Sequence, residues 1–286
     1  MLKPPLNPML LSVKEEAFNS PNYLFEFKWD GYRCLCFINQ GKLYLQSRNK
    51  NSLTKYYPEK KYIINNIYCK NAILDGELCF LEEDGKSNFS KLQKNIRYSK
   101  KKQSLSLVFW DLISYNDKDL SSLALIERKK QLKSIVKENR FLLISPFIKK
   151  WGVKLYQEAE KENLEGIVAK EINSPYEFKR SKKWLKIKCW QYSEAIITAY
   201  TNNRLLYLAR KDIKGSLIDM GKVKISLEKD IENTLFSFLP TIKIKSIRNN
   251  KLDVHKVKPY IKVKVRYTEI SSNNTFRHGY VVEIMS

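Results

Sequence analysis

The segment EFKWDGYR, which starts at Glu26, places a lysine in an extended, aromatic-rich run directly before an Asp-Gly pair. Because Asp-Gly is a turn signal, Lys28 is predicted to end one strand and Arg33 to begin the next. Phe27 and Trp29 flank the lysine, and partial desolvation by such neighbours disfavours the ammonium form and makes the amine a usable nucleophile. The segment therefore indicates either a nucleophilic lysine beside a second cation or a β-hairpin with an ordinary surface lysine.

The excess of basic residues predicts a polyanionic partner. The sequence contains 53 Lys and Arg residues against 30 Asp and Glu residues, a formal net charge of +23, and nucleic acid is the first candidate for such a partner. The charge is clustered, since Lys86–Lys102 holds seven cations and no acid, and Pro240–Ser286 holds ten cations and three acids. A lysine-rich surface inherited from an AT-rich coding sequence is the alternative, so charge supports nucleic-acid binding without establishing it.

Composition narrows the class of protein. A chain of 286 residues that is 43% hydrophobic suits a folded protein of one large or two ordinary domains. No apolar run approaches the roughly 20 residues of a membrane span, and the start lacks the apolar core of a signal peptide. The five cysteines lack CxxC spacing, which predicts reduced thiols and a cytoplasmic protein without a membrane partner. Two histidines disfavour a histidine-based zinc site or a Ser-His-Asp triad.

The order of predicted elements indicates two domains. Strand and helix patterns mix in the first two-thirds of the chain, and the longest helical pattern runs from Leu120 to Glu138. After Gln191 the sequence changes to short β segments, which predict a five-stranded barrel. We therefore expect a first domain over residues 1–190 and a second over residues 191–286.

Four later segments carry side chains suited to phosphate chemistry. They are LDGEL from Leu74, LVFWDLI from Leu107, EGIVAK from Glu165 and KWLKIK from Lys183. In the last segment, strand alternation puts Lys186 and Lys188 on one face. Taken singly, the segments have ordinary explanations: a hairpin turn, a core aromatic beside a solvated acid, the start of a strand and a wet strand face. Their joint occurrence in this order is far more specific.

Together with the lysine segment, these motifs resemble the nucleotidyltransferase motifs of ATP-dependent DNA ligases over residues 24–188. That superfamily also contains RNA ligases and mRNA-capping guanylyltransferases. The resemblance is greatest to the ligase module of bacterial end-joining ligases and their small bacterial and phage relatives. Two further segments also look like that subgroup, namely Ser174-Pro175-Tyr176 and Phe276-Arg277-His278. It implies an α+β fold, in which a nucleotidyltransferase (adenylation) domain of antiparallel sheets and helices precedes an OB-fold β-barrel that binds DNA.

The resemblance also implies roles for individual residues. Lys28 is expected to take AMP from ATP as a lysyl-phosphoramidate and to release pyrophosphate. Glu26 matches the position that selects adenine, Arg33 the position that holds the ribose side, and Trp110 the position that stacks on the base.

The other matched residues concern the metal, the phosphates and the nick. Glu77 and Glu165 are expected to bind Mg²⁺ or Mn²⁺, Lys186 and Lys188 to contact the phosphates, and Ser47 and Arg48 to engage the 5′-phosphate at a nick. Displacement at a triphosphate needs a neutral amine, a divalent ion and fixed cations at the developing negative oxygens. Two carboxylates with substrate phosphates and waters form a typical Mg²⁺ site.

One departure from the family pattern concerns the second domain. Family members usually carry a basic motif resembling RxDK shortly after its Arg-His pair, and that motif is associated with lysine adenylation. No such motif follows His278. Arg266 and Arg277 are therefore candidates for a partial substitute, because the planar guanidinium can grip phosphate oxygens bidentately. The alternative is that both contact the DNA backbone.

The resulting hypothesis is an ATP-dependent DNA ligase that seals 5′-phosphate/3′-hydroxyl nicks through lysyl-AMP and DNA-adenylate intermediates. Nicked duplex DNA is the expected partner and a monomer the expected state, while a recruiting protein and a role in repair, end joining or a phage genome stay open. The alternatives are an RNA ligase or capping enzyme and a non-catalytic nick-binding protein. Glu26 and the barrel-like second domain disfavour an RNA ligase.

Overall fold

The computed structural model describes residues 2–57, 60–98, 104–249, 252–271 and 273–285. The chain forms two compact units, Met1–Cys189 and Trp190–Ser286. In the described ranges, no helix combines the length and the apolar character that a membrane span requires. Lys100, Lys101 and Lys102 of the first basic run, and Lys251 of the second, lie outside these ranges.

The first sheet of unit 1 has five strands. In spatial order they are β1 (Leu10–Val13), β11 (Arg180–Lys188), β10 (Gly166–Glu171), β2 (Ser20–Phe27) and β9 (Ile148–Lys150). β1 runs parallel to β11, and the other pairings are antiparallel. Alternate apolar residues such as Phe25, Ile167 and Ile187 pack with Ala159 of helix α4 (Gly152–Lys161).

The second sheet of unit 1 has six strands. They are β4 (Lys42–Ser47), β3 (Tyr32–Asn39), β5 (Asn71–Cys79), β6 (Ser106–Tyr115) and β7 (Lys118–Asp119) in spatial order, with β8 (Leu142–Ile144) paired to β6. Helices α1 (Lys60–Asn66), α2 (Phe89–Tyr98) and α3 (Leu125–Ile135) and the 3-10 helix Thr54–Tyr56 complete the unit.

Strand β3 shows how the sequence fixes the two faces of this sheet. Because side chains alternate along a strand, Cys34 and Cys36 enter one buried cluster with Leu74 of β5. Leu35 and Phe37 enter another cluster, which also contains residues of the first sheet. The two sheets of unit 1 therefore share a core along one face of β3.

The lysine segment is not a hairpin. Asp30 and Gly31 do separate two strands, as predicted, but β2 pairs with β9 and β10 whereas β3 pairs with β4 and β5. The chain crosses from the first sheet to the second at this point. A Cβ atom at Gly31 would lie 2.3 Å from the carbonyl oxygen of Leu78, so the crossing requires glycine. The alternative of a hairpin with an ordinary surface lysine is wrong.

Two other predicted features also differ from the structure. Gly76 lies inside β5, where the pairing with β6 shifts register, and does not form a hairpin turn. The helix predicted over Leu120–Glu138 is shorter, because Leu120 donates its backbone N–H to Ile113 at one end and Val136 bridges to Ile67 at the other. Pairing with neighbouring strands outweighs the helical pattern at both ends.

Unit 2 contains a closed barrel. Strands β12 (Gln191–Thr201), β13 (Leu206–Lys211), β14 (Leu217–Ile225), β20 (Tyr280–Met285) and β17 (Lys262–Tyr267) follow one another, and β17 pairs back to β12. The remaining elements are β15 (Lys243–Asn249), β16 (Leu252–Val257), β18 (Glu269–Ile270), β19 (Phe276–Arg277), α5 (Lys229–Phe238) and the 3-10 helix Leu239–Ile242. The five-stranded ring agrees with the short β segments of the sequence.

Candidate active site

Unit 1 contains a cleft of about 990 Å³ that residues of both sheets line. Eight of the predicted site residues line it, namely Glu26, Lys28, Arg33, Ser47, Arg48, Glu77, Trp110 and Lys186. Glu165 and Lys188 reach the same place through ion pairs around Lys28. The fold therefore gathers ten predicted residues, separated by up to 162 positions in sequence, around one concave surface.

Lys28 lies at the point where β2 meets β10. Its backbone N–H donates to the carbonyl of Gly166 at 2.9 Å, and its ammonium forms an ion pair with Glu165. Lys188 Nζ lies 3.9 Å from the other oxygen of Glu165. Gly166 has φ +138°, and a Cβ atom there would lie 2.1 Å from the carbonyl oxygen of Ile187. Glycine at this position lets the start of β10 lie directly against β11.

The pKa of Lys28 is higher than its ordinary value, contrary to the expectation of a neutral amine. Burial lowers this pKa, as the aromatic neighbours suggested. The ion pair with Glu165 and the charges of Glu77 and Asp30 raise it by more than burial lowers it. In this arrangement Lys28 is an ammonium ion. Attack on phosphorus therefore requires the surrounding carboxylates to be neutralised first.

Glu77 is the carboxylate that lacks its own cation. Burial raises its pKa to about 8, although Lys28 and Arg33 pull the pKa down. Among the described residues, the Glu77 carboxylate has no hydrogen bond or ion pair within bonding distance. A buried carboxylate of this kind is costly unless a cation accompanies it, so the donor chemistry of Glu77 and Glu165 fits a divalent ion.

The two glutamates supply only part of a metal shell. No group of three or more His, Cys, Asp or Glu residues suited to a metal occurs in the described part of the chain. Mg²⁺ commonly takes one or two protein carboxylates and fills its shell with waters and substrate phosphates. The arrangement therefore suits an ion that arrives with a nucleotide.

Arg33 is held by Asp75, a carboxylate for which no role was predicted. Its Nε and Nη2 donate to the two oxygens of Asp75 at 2.6 and 2.5 Å, and Nη2 also donates to the Met9 carbonyl at 2.9 Å. The Tyr176 hydroxyl donates to Asp75 at 2.8 Å. Burial lowers the pKa of Arg33, but Asp75 raises it more. The guanidinium carbon lies 4.8 Å from the centre of the Trp110 ring, so Arg33 is fixed beside that indole.

A second charge cluster, which we call the Glu26 cluster, consists of Glu26, Lys129 and Lys170. Lys170 Nζ donates to both oxygens of Glu26 at 3.1 and 3.0 Å, and Lys129 Nζ lies 2.7 Å from Oε1. All three side chains are at most 4% exposed. Lys170 also lies 4.9 Å from the ring centre of Trp110 and 4.6 Å from that of Trp184.

Burial and charge act against each other in the Glu26 cluster. Burial raises the pKa of Glu26, but Lys129 and Lys170 lower it more, so the carboxylate stays ionised. Burial lowers the pKa of Lys170 to about 8, with Lys129 adding to this effect and Glu26 opposing it. The cluster therefore presents an ionised carboxylate beside a lysine whose pKa is lowered.

The cations expected at the phosphates and the nick lie on another part of the cleft wall. Lys186 has a lowered pKa because of burial and the nearby charges of Lys28 and Arg180. Ser47 Oγ accepts a hydrogen bond from the Asn51 backbone at 3.0 Å, which orders the turn that carries Arg48. Lys55, Arg97 and Arg180 also line the cleft, and the sequence analysis did not assign them.

Arg266 and Arg277 belong to unit 2. The Arg266 guanidinium carbon lies 4.8 Å from the Trp190 ring centre and 5.5 Å from that of Tyr280. Arg277 forms an ion pair with Glu269. Their predicted contacts with pyrophosphate or DNA stay predictions.

Several charged residues of the site were not predicted. Asp75, Lys129 and Lys170 are examples, and so is the fully buried ion pair of Arg128 with Asp111 at 2.8 Å. A signal for the helical members was present in the sequence. Lys129 follows Leu125 by four positions, and Arg128 precedes Leu132 by four, so both basic residues fall on the apolar face of α3. A charge at such a position indicates a buried partner.

Comparison with known proteins identifies the family. Residues 7–188 match the family profile described as ATP dependent DNA ligase domain. The chain is 34% identical over 208 residues to the SPbeta prophage-derived DNA ligase-like protein LigB of Bacillus subtilis, covering 71% of this chain and 74% of LigB. It is 31% identical over 196 residues to the multifunctional non-homologous end joining protein LigD of Pseudomonas aeruginosa, covering 68% of this chain.

That match spans only 23% of the Pseudomonas LigD protein. Among solved structures, mycobacterial DNA ligase D complexed with ATP and MES has a TM-score of 0.59 at 23% identity, covering 98% of this chain and 95% of that one. A Lig E DNA ligase has a TM-score of 0.64 at 14% identity, covering 97% and 99%. These likenesses confirm the predicted α+β fold class. With the profile match and the LigB identity, they show that the chain belongs to the ATP-dependent DNA ligase family.

Proposed function

We propose that this ligase seals 5′-phosphate/3′-hydroxyl nicks in duplex DNA, with ATP as co-substrate, Mg²⁺ or Mn²⁺ as metal and Lys28 as the nucleophile. The ion pair of Lys28 with Glu165 beside the unpartnered Glu77 carries the proposal, because it sets an amine among carboxylates that can take a divalent ion. The first unit then acts as the adenylation domain and the second as the OB-fold DNA-binding domain.

In the first step, Lys28 Nζ attacks the α-phosphorus of ATP. The Lys28 ammonium first loses a proton to solvent to give the neutral amine. As the nitrogen–phosphorus bond forms, the bond to the pyrophosphate oxygen breaks and the nitrogen releases a second proton to solvent. Glu77 and Glu165 would hold a divalent ion, whose positive charge would screen the triphosphate and weaken the hold of these carboxylates on Lys28. Lys186 and Lys188 are placed to contact phosphate oxygens as negative charge develops on the leaving group.

Two further steps complete the proposed reaction. The 5′-phosphate of the nick attacks the lysyl-AMP phosphorus, so that the nitrogen–phosphorus bond breaks and a DNA-adenylate forms. The 3′-hydroxyl then attacks the 5′-phosphate and AMP leaves. Ser47 and Arg48 are proposed to hold the 5′-phosphate, and the basic residues of both units to hold the duplex mainly through its backbone.

The base and the sugar have separate proposed contacts. Glu26 accepts a hydrogen bond from the 6-amino group of adenine, Trp110 packs on the base, and Arg33 lies on the ribose side. We also keep a monomeric state and a cytoplasmic location as proposals. A recruiting partner is left open.

The proposal is tested by following labelled ATP with Mg²⁺ and then nicked DNA. Transfer of label first to protein and then to DNA is expected. The variant Lys28→Ala is expected to lose all protein labelling and still to seal a nick that is supplied already adenylated. Lys28→Arg is expected to label no better than Lys28→Ala, because a permanently charged guanidinium is a poor nucleophile.

The exposed Lys149 on β9 of the same sheet provides a matched control, and Lys149→Ala is expected to behave as wild type. Equal loss of labelling and of pre-adenylated sealing in Lys28→Ala would show a structural role for the lysine. Labelling by GTP in place of ATP would favour a capping enzyme, sealing of RNA but not DNA an RNA ligase, and binding without labelling a nick-binding protein.

A further inference from the structure

Lys129 contacts Glu26, a residue that lines the cleft. Glu26 and Lys170 both line the cleft, whereas Lys129 approaches from helix α3 and is only 4% exposed. Its Nζ lies 2.7 Å from Glu26 Oε1 and 5.2 Å from the centre of the Phe147 ring. Lys129 therefore acts on the cleft through Glu26.

The number of charges in the Glu26 cluster calls for an explanation. Lys170 contacts both carboxylate oxygens of Glu26, so this pair alone already balances one positive and one negative charge. Burying a further ammonium ion costs several kcal/mol before its contacts are counted. Lys129 therefore adds a desolvation cost that charge balance does not require.

Nucleotide binding gives the second lysine a purpose. A carboxylate offers about four lone-pair sites. Lys170 takes one on each oxygen and Lys129 faces Oε1, so the site left for a base amino group is on Oε2. Without Lys129, either oxygen could face the base, whereas Lys129 on Oε1 leaves Oε2 as the acceptor.

We propose that Lys129 is a positioning residue for nucleotide selection, which anchors Glu26 through Oε1 and keeps Oε2 ionised and directed at an amino group of the base. The inference rests on the proposed function, since it takes ATP as the nucleotide. Adenine has an amino donor at C6, where guanine has a carbonyl acceptor. An ionised carboxylate can only accept hydrogen bonds, so it holds adenine and repels guanine at this position.

The test is lysine adenylation without DNA, measured as initial rates over a range of ATP and of GTP concentrations. For Lys129→Met, we expect the KM for ATP to rise about ten- to a hundredfold. This is the effect of losing the hydrogen bond from the adenine amino group to the charged Glu26 carboxylate. The kcat should change much less. The preference for ATP over GTP, as the ratio of kcat/KM values, should fall by a similar factor.

Two further variants separate positioning from stability. Lys129→Arg keeps the cation and should retain most of the ATP preference, whereas the neutral Lys129→Gln should lose it. Lys130→Met changes an exposed lysine of the same helix and should match wild type. Thermal midpoints are measured for every variant, and Lys129→Gln replaces Lys129→Met if the latter does not fold.

The outcomes are distinct. Neutral variants with a lower thermal midpoint but an unchanged KM for ATP and unchanged ATP preference would overturn the inference and make Lys129 purely structural. Such a result would leave the proposed function intact, because wild type would still label Lys28 from ATP. Absence of ATP labelling in wild type would overturn the proposed function and this inference together.

Discussion

The two sides of the cleft treat buried charge in opposite ways. On the Lys28 side, Glu165 pairs with Lys28 and lies near Lys188, whereas burial raises the pKa of Glu77 to about 8. On the Glu26 side, two lysines share one carboxylate, whose pKa is lowered. On the Lys28 side, the Glu77 carboxylate has no bonded cation among the described residues. On the Glu26 side, two lysines contact a single carboxylate.

Under the proposed function, this difference suits each side to its task. Incompletely neutralised carboxylates suit a side that would accept a metal and release a proton. Charged groups that are fixed before the ligand arrives suit a side that would recognise a neutral base, since preorganised groups need no reorganisation on binding.

The largest effect is expected from the buried ion pair of Arg128 with Asp111, next to the Glu26 side. Both side chains of Arg128 and Asp111 are fully buried, so Arg128→Met leaves a carboxylate uncompensated and should lower the free energy of unfolding by about 3–5 kcal/mol. Denaturant unfolding measures this, with Lys133→Met on the exposed face of α3 as control. A loss no larger than the control would show that charge on this side does not stabilise the fold.

On the Lys28 side, loss of charge should affect the reaction and spare the fold. Glu77→Gln and Glu165→Gln are expected to slow lysine adenylation about 10²–10³-fold, while the thermal midpoint moves by no more than a few degrees. Partial rescue at raised Mg²⁺ or Mn²⁺ should follow. Glu162→Gln at the exposed end of α4 is the control. A large fall in thermal midpoint would instead mark both residues as buried structural acids.

The pH dependence of stability should reveal the lowered pKa of Lys170 on the Glu26 side. The pKa of Lys170 is lowered from 10.5 to about 8, so between these values the unfolded chain binds more protons than the folded one and stability gains with rising pH. The free energy of unfolding of wild type, minus that of Lys170→Met, should therefore increase from pH 8 to pH 10.5. A flat difference would show that Lys170 has an ordinary pKa.

The smallest effect is expected in unit 2, whose arginines serve as a reference outside the cleft. If Arg266 and Arg277 only contact DNA phosphates, their substitution by Ala should weaken DNA binding modestly and reduce its salt dependence by about one ion each. DNA-free lysine adenylation should then be unchanged. Slower adenylation by either variant would favour the alternative, that one of them contributes to lysine adenylation.

The sequence allowed the Lys28 side to be predicted better than the Glu26 side. Lys28, Glu77 and Glu165 occur in short motifs whose order matches a family. Lys129 and Lys170 come together with Glu26 only when β10 pairs with β2 and α3 packs on β6. Contacts between residues 26, 129 and 170 cannot be seen in local patterns. Likewise, the turn at Asp30 and Gly31 was predictable, but a turn signal does not say with which strand each arm pairs.

The crossing at Gly31 has a mechanical consequence. Glu165 immediately precedes β10 of the first sheet, and Glu77 belongs to β5 of the second, so a divalent ion that these two carboxylates would hold would link the two sheets. With metal and nucleotide bound, unit 1 should then unfold more slowly and resist proteases better. Loss of AMP and metal after sealing would remove this link, so the resistance of unit 1 to unfolding would rise and fall once in every catalytic cycle.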